Sequence, residues 1–245
     1  MAKEKPKKNK MSLAGKIVFV ISLVLLIVSL GIIIDHYLKG QKSEKEFSTL
    51  KVSDTYDLDA LYRQNSDIIG WIKIEDTKID YPVMQTKSRP EFYLRRNFKK
   101  EYSLSGTPFM DAASDINTPT KNWLIYGHNM KNGTMFHDIL DYEDAGFYEE
   151  HKTFTFDTIE EEGKWEVVAV FRSKIYKKNS DKFKYYEYGG IVSGEQLKEY
   201  VRICRSLSQY DTGVEVNEDD MVLTLSTCAY HTKDGRFAVV AKKIK

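Results

Sequence analysis

Two cysteines and five histidines are the residues of this 245-residue chain that could support nucleophilic chemistry near neutral pH. Cys228 closes the run Met221-Val-Leu-Thr-Leu-Ser-Thr-Cys228, an apolar strand pattern from Met221 to Leu225 that ends in small hydroxyl residues. That pattern delivers the thiol to the C-terminal edge of a buried strand. Asp234-Gly235 then signals a tight turn, and Arg236 to Ile244 reads as a second strand. Cys228 and Arg236 are therefore expected near facing ends of a hairpin. A nearby cation favours the thiolate, the reactive form of cysteine. Taken alone, Cys228 is equally readable as a buried structural cysteine.

The histidines sort by context. His36 abuts an apolar run, His137 and His151 lie among charged or loop residues, and His231 falls in the hairpin turn, where it is expected to be solvated. His128 follows the short apolar strand Trp123 to Tyr126 and is flanked by Gly127, so its ring can be aimed into a cleft. A loop-capping role is the alternative for it. Cys204 belongs to Glu195–Leu207, where Leu197, Tyr200, Val201, Cys204 and Leu207 share one helical face, and Ser193 with Gln196 forms a capping box. Cys204 is thus assigned to core packing, which leaves Cys228 as the odd thiol.

The elements that must position these groups follow in order. A helix is predicted over Leu58 to Gln64, with Leu58, Leu61 and Tyr62 inward, and a short one over Phe92 to Lys99. Strands are predicted over Ile69 to Ile74, Lys78 to Met84, Thr107 to Asp111, Trp123 to Tyr126, Thr153 to Ile159 and Lys164 to Tyr176, with Pro82 marking an edge or strand end. With the cysteine hairpin this makes about eight strands and two to four helices. The spacing indicates a mainly β fold with helices, a closed or nearly closed β-barrel.

The net charge of +1 hides an asymmetry: residues 1–16, with six lysines and one glutamate, contribute +5 and leave −4 for the remainder. A slightly acidic body argues against nucleic acid as a partner. Ile17 to Ile34 is 18 residues without a charge. As a helix it spans roughly 27 Å, close to the hydrocarbon thickness of a bilayer. Lysines before it and Asp35 after it place the N-terminus in the cytoplasm by the positive-inside rule. A cleaved signal peptide is the rival, but the run is long and no small-x-small site follows. The expected organisation is a basic cytoplasmic tail (1–16), a signal-anchor helix (17–38), a polar linker (39–53) and an extracellular catalytic domain (54–245). At most one disulfide can form, which excludes a disulfide scaffold.

Thr224-Leu-Ser-Thr-Cys228 resembles the TLxTC signature of sortases, with Tyr126-Gly-His128-Asn-Met as the matching histidine block and Arg236 as the trailing arginine. Asn65-x-Asp67-x-x-Gly70-Trp-Ile72, Ile79-Asp-Tyr-Pro-Val-Met84 and the stretch from Gly127 to Phe136 resemble class B sortases in particular. The resemblance covers about residues 55 to 245. It implies a closed barrel with an N-terminal helix and a long helix before the cysteine strand. It also implies a cysteine transpeptidase. Cys228 would attack a backbone carbonyl in the sorting signal (NPQTN-like in this class) of a secreted protein, giving a thioester. His128 would act as general acid and base, and Arg236 would hold the carbonyl or the oxyanion. An amine of peptidoglycan or its precursor would resolve the thioester. No cofactor is implied.

Asn97, Tyr126 and Ser226 match groove positions of the class, and Thr227 lies beside the cysteine. Their structural alternatives are helix capping for Asn97, core packing for Tyr126 and an intrastrand bond for Ser226. Ala229 and His231 stand where class members often carry polar or acidic residues, a departure that touches specificity rather than reaction. A hydrolytic cysteine protease needs the same Cys228–His128 pair, and an anchored surface-binding domain would leave Cys228 inert. Papain-like enzymes place cysteine before histidine along the chain, the reverse of the order here.

Overall fold

A computed structural model describes residues 12–51, 55–118 and 120–244. The basic run at 1–11 and residues 52–54, at the junction of the expected linker and catalytic domain, lie outside the described residues. Eight strands, β1 (Ile68–Lys73), β2 (Asp80–Met84), β3 (Phe109–Met110), β4 (Asn122–Tyr126), β5 (Thr153–Thr158), β6 (Lys164–Lys174), β7 (Val222–Cys228) and β8 (Gly235–Lys243), close into a barrel in the order β1-β2-β3-β4-β7-β8-β6-β5. β5 pairs with β1 to complete the ring. Closure removes the unpaired edges that an open sheet would expose.

Most neighbours are antiparallel, but β2 pairs with β3 and β4 with β7 in parallel. Pro82 is tolerated because β2 meets β3 only through Met84 and Phe109, so no ladder partner needs the missing N–H. β7 alternates strictly. Leu223 and Leu225 enter the barrel core with Trp123, Trp165 and Phe156, whereas Val222 joins an outer layer. Both faces of the strand are covered, so Val222 to Thr227 are all buried, the hydroxyl residues included.

That outer layer is supplied by α4 (Gly194–Leu207), whose N-cap Ser193 accepts a hydrogen bond from the Gln196 N–H. Leu197, Tyr200, Val201 and Cys204 are buried against the barrel wall, and the Tyr200 hydroxyl meets Thr224 Oγ1 at 2.8 Å. Cys204 is fully buried, and that burial pushes its thiol far above the ordinary range. It is core, as expected. Leu207 differs from expectation: as the last residue of the helix it is 45% exposed.

Three other details differ. α2 (Leu58–Gln64) forms as predicted and buries Leu61, but Tyr62 points to solvent. The predicted helix at Phe92–Lys99 is a single 3₁₀ turn, Phe92–Arg95. A 3₁₀ segment, Asp138–Glu143, and the short α3 (Ala145–Glu150) fill a region with no predicted element.

The largest difference lies at the N-terminus. α1 runs from Leu13 to Ser48 as one helix, so the polar segment read as a linker is helical through Ser48. The reason is a tertiary anchor: Phe47 is 2% exposed, its ring edge-on to Tyr81 at 5.3 Å. An apolar ring buried this way contributes on the order of 2–3 kcal/mol, and Lys51 ion-pairs with Asp80 just beyond it. Leu13–Ile34 has none of its surface buried by the rest of the chain, and its length and composition suffice to cross a membrane.

Candidate active site

β4 and β7 run parallel with Tyr126 in register with Ser226. Both strands therefore end at the same rim of the barrel. The Gly127 N–H donates to the Ser226 carbonyl (3.0 Å), and Thr227 Oγ1 donates to the Gly127 carbonyl (2.7 Å). One residue further on each strand stand His128 and Cys228. Glycine is required at 127, since a Cβ there would lie 2.4 Å from the ring of fully buried Phe136. The Phe136 N–H in turn donates to the His128 carbonyl at 2.9 Å, folding the loop back under the histidine.

Arg236 enters from the other side of β7, as the cross-strand partner of Cys228 in the antiparallel β7–β8 pair. The turn between them uses Asp234 in the left-handed region (φ 57°) and Gly235, whose Cβ would meet the Ala229 carbonyl at 2.1 Å. The Ala229 N–H donates to the Gly235 carbonyl at 3.0 Å. The backbone donor that follows the thiol is thus committed to the hairpin. Arg236 Nη1 donates to the same Gly235 carbonyl at 2.9 Å, and the rest of the guanidinium fork stays available beside Cys228. The group best placed to hold an oxyanion here is a side chain rather than backbone.

His128 is half-buried, with Nε2 2.9 Å from the Leu94 carbonyl. A carbonyl can only accept, so Nε2 carries the hydrogen and the neutral ring presents an unprotonated Nδ1. Burial lowers the imidazole pKa below its ordinary 6.5, and the charges of Arg95 and Arg236 lower it further, against the Leu94 contact. Near neutral pH the ring is therefore a base.

Cys228, His128 and Arg236 line one cleft of about 300 Å³. Tyr126, Ser226 and Thr227 also line it. The Tyr126 phenol is pushed far above its usual pKa by burial and by the Asp111 carboxylate, 3.4 Å away, and remains a donor. Ser226 is 1% exposed with its hydroxyl 2.6 Å from Tyr185 Oη, and Thr227 is 2% exposed and bonded to Gly127. Both hydroxyls hold the frame together.

Asn97 does not join them. It is 4% exposed and donates through Nδ2 to Glu46 Oε2 and Glu101 Oε2, while Oδ1 accepts from the Glu101 N–H. Its amide is consumed in fastening the end of α1 to the loop after Phe92–Arg95, and Asn97 does not line the cleft. His231 is exposed, as expected for the turn.

The cleft has lining residues that sequence reasoning did not find: Leu94, Phe109, Asp111, Ile175 and Tyr186. Ile175 is fixed through its N–H to the Asp234 carbonyl, and Tyr186 Oη accepts from the Tyr176 N–H. These residues are distant in sequence and carry no common motif. Asn129, which bonds the Cys228 carbonyl, and His137, which bonds Asn129, were also missed.

A family model described as Sortase domain matches residues 72–244. Among characterised relatives, sortase B of Listeria monocytogenes is 35% identical over 168 residues, which are 69% of this chain and 65% of that protein. This chain thus aligns with just under two thirds of the Listeria relative's length. Sortase B of Staphylococcus aureus is 32% identical over 189 residues, 76% of this chain and 74% of that one. The crystal structure of Clostridium perfringens sortase B superposes with a TM-score of 0.66 at 33% identity, covering 77% of this chain and all of that chain. A Staphylococcus aureus sortase B–substrate complex gives 0.68 at 29% identity, over 86% and 94% of the two chains. The closed eight-stranded barrel, the cysteine–histidine–arginine rim and these similarities agree: the chain belongs to the sortase family of cysteine transpeptidases, with the class B members.

Proposed function

We propose that this chain cleaves the C-terminal sorting signal of a secreted protein and joins the new carboxyl end to an amine of peptidoglycan or its precursor. The observation that carries the reading is the convergence of Cys228, His128 and Arg236 on one cleft at the shared end of β4 and β7. Cys228 Sγ adds to the scissile carbonyl carbon, and the thiol proton passes to the imidazole. The Arg236 fork stabilises the oxyanion of the tetrahedral intermediate. The C–N bond then breaks, and the imidazolium donates its proton to the leaving amine, which leaves a thioester on Cys228. The neutral imidazole next removes a proton from the incoming amine as it attacks the thioester, and collapse of that second intermediate returns the thiolate, which recovers the proton.

The walls supplied by Pro90, Leu94, Phe109 and Ile175 are apolar and disfavour water as the competing nucleophile. The signal is of the Asn-Pro-x-Thr kind, as in the class the residues resemble, and Tyr126 lines the cleft that receives it. Leu13–Ile34 anchors the enzyme as a single span, with the lysine-rich end in the cytoplasm and the barrel outside.

The test is turnover of a quenched peptide containing Asn-Pro-Gln-Thr by residues 41–245, with and without an added amine, beside Cys228→Ala. An amine-linked product seen by mass and lost in the variant is expected. Free acid alone, across a panel of amines, would sink transpeptidation in favour of hydrolysis.

A further inference from the structure

Cys228 is the last residue of β7, and its carbonyl faces the loop that carries His128. Asn129 Nδ2 donates to that carbonyl at 2.9 Å, and Asn129 Oδ1 lies 2.7 Å from His137 Nδ1. The polarity of this chain is determined. The Cys228 carbonyl can only accept, so the amide N–H₂ must face it, and Oδ1 must face His137. His137 therefore carries its hydrogen on Nδ1.

Asn129 is 9% exposed, and its backbone is held as well: its carbonyl accepts from Tyr230 Oη at 3.2 Å, and it bridges to Met135 across the loop. His137 is anchored behind it at the start of the 3₁₀ segment Asp138–Glu143, whose Ile139 and Tyr142 are fully buried in the barrel core. The result is a rigid path from the core through His137 and Asn129 to the backbone of the nucleophile. Asn129 is also the residue that follows His128. One side chain thus ties the cysteine to the histidine loop at the point where both leave their strands.

We propose that Asn129, oriented by His137, is a positioning residue that fixes the Cys228 thiol against the His128 imidazole for proton transfer. It touches no reacting atom and acts through the cysteine backbone. The clamp rests on the reading of Cys228 and His128 as the reacting pair, but not on which peptide or amine they use. Loss of the clamp leaves both groups present in a mutual geometry no longer held, and a displacement of about 1 Å at a reacting centre costs up to about 100-fold in rate.

The experiment compares Asn129→Leu, His137→Phe and His137→Gln with wild type and His128→Ala. Three readouts are used: peptide turnover split into kcat and KM, the pH profile of Cys228 alkylation by iodoacetamide, and thermal unfolding to establish that each variant is folded at the assay temperature. Asn129→Leu is expected to lower kcat about 10- to 100-fold with KM little changed, and to move the alkylation profile toward that of His128→Ala. His137→Gln, which keeps an N–H for Asn129 Oδ1, is expected to restore most of what His137→Phe loses. A folded Asn129→Leu with wild-type kcat and alkylation profile overturns the proposal, as does equal loss in the two His137 variants. If Asn129→Leu does not fold, Asn129→Ser, too short to reach the carbonyl, carries the same comparison. Wild type that alkylates normally but turns over no peptide would count against the proposed substrate, while the alkylation profiles still decide the clamp.

Discussion

Tyr126 on β4 stands in register with Ser226 on β7, and because the two strands are parallel, the residues two positions beyond each leave the barrel side by side. Those residues are His128 and Cys228, more than ninety positions apart in the chain. An antiparallel pairing would have sent them to opposite rims. Everything the site can do depends on this one register, and several consequences can be measured.

Gly127→Ala puts a methyl group into the Phe136 ring, which is fully buried and cannot swing away. A destabilisation of about 1–3 kcal/mol is expected from overpacking, read by urea unfolding. The His128 loop must also shift, so activity should fall by about 10-fold or more even where the protein remains folded. Full activity in Gly127→Ala would show that the loop has more room than the packing indicates.

Arg236→Lys keeps the charge but loses the planar fork. The Ala229 N–H, the backbone donor that follows the thiol, is already given to Gly235 and cannot take over. A loss of about 10²–10³ in kcat is expected. Turnover within a factor of about two of wild type would remove Arg236 from the oxyanion role.

His128 makes stability depend on pH in a defined direction. Its folded pKa lies below the ordinary 6.5, chiefly through burial, so on acidification the unfolded chain takes up the proton first. Stability from this group is fully present above 6.5 and declines as pH falls from there through the lower folded value. Urea unfolding between pH 4 and 7 should show that slope in wild type and a shallower one in His128→Asn. Arg95→Gln removes one of the opposing charges, so the acid limb of activity should move a few tenths of a pH unit upward. A downward shift would contradict the assigned cause.

The N-terminal boundary of the folded body is set by Phe47 and Glu46. A chain beginning at residue 41 retains the Phe47–Tyr81 contact and the Glu46–Asn97 hydrogen bond, and should be soluble and active. A chain beginning at residue 54 loses both, together with the Lys51–Asp80 pair, and should be less stable by about 3 kcal/mol or more. Equal melting temperatures for the two would mean that the end of α1 is dispensable.

The chain's sequence by itself determined the strands, the amphipathic α4, the buried role of Cys204, the membrane-length apolar run and the hairpin that sets Arg236 against Cys228. Each of these rests on local periodicity or on a tight turn, information carried within about ten to twenty residues. The motif around Cys228 and His128 also singled out two residues that line one cleft. What only the tertiary structure decided involves partners far apart in the chain. The parallel β4–β7 register, the Leu94 carbonyl that selects the His128 tautomer and the Asn129–His137 clamp all arise from barrel closure. The same holds for two further placements. Asn97 had the right type for a groove residue, but its amide hydrogen bonds are taken by Glu46 and Glu101. Residues 39–48 read as a polar linker, their helical backbone continues α1 to Ser48, and the Phe47 contact that holds its end is with Tyr81 across the fold.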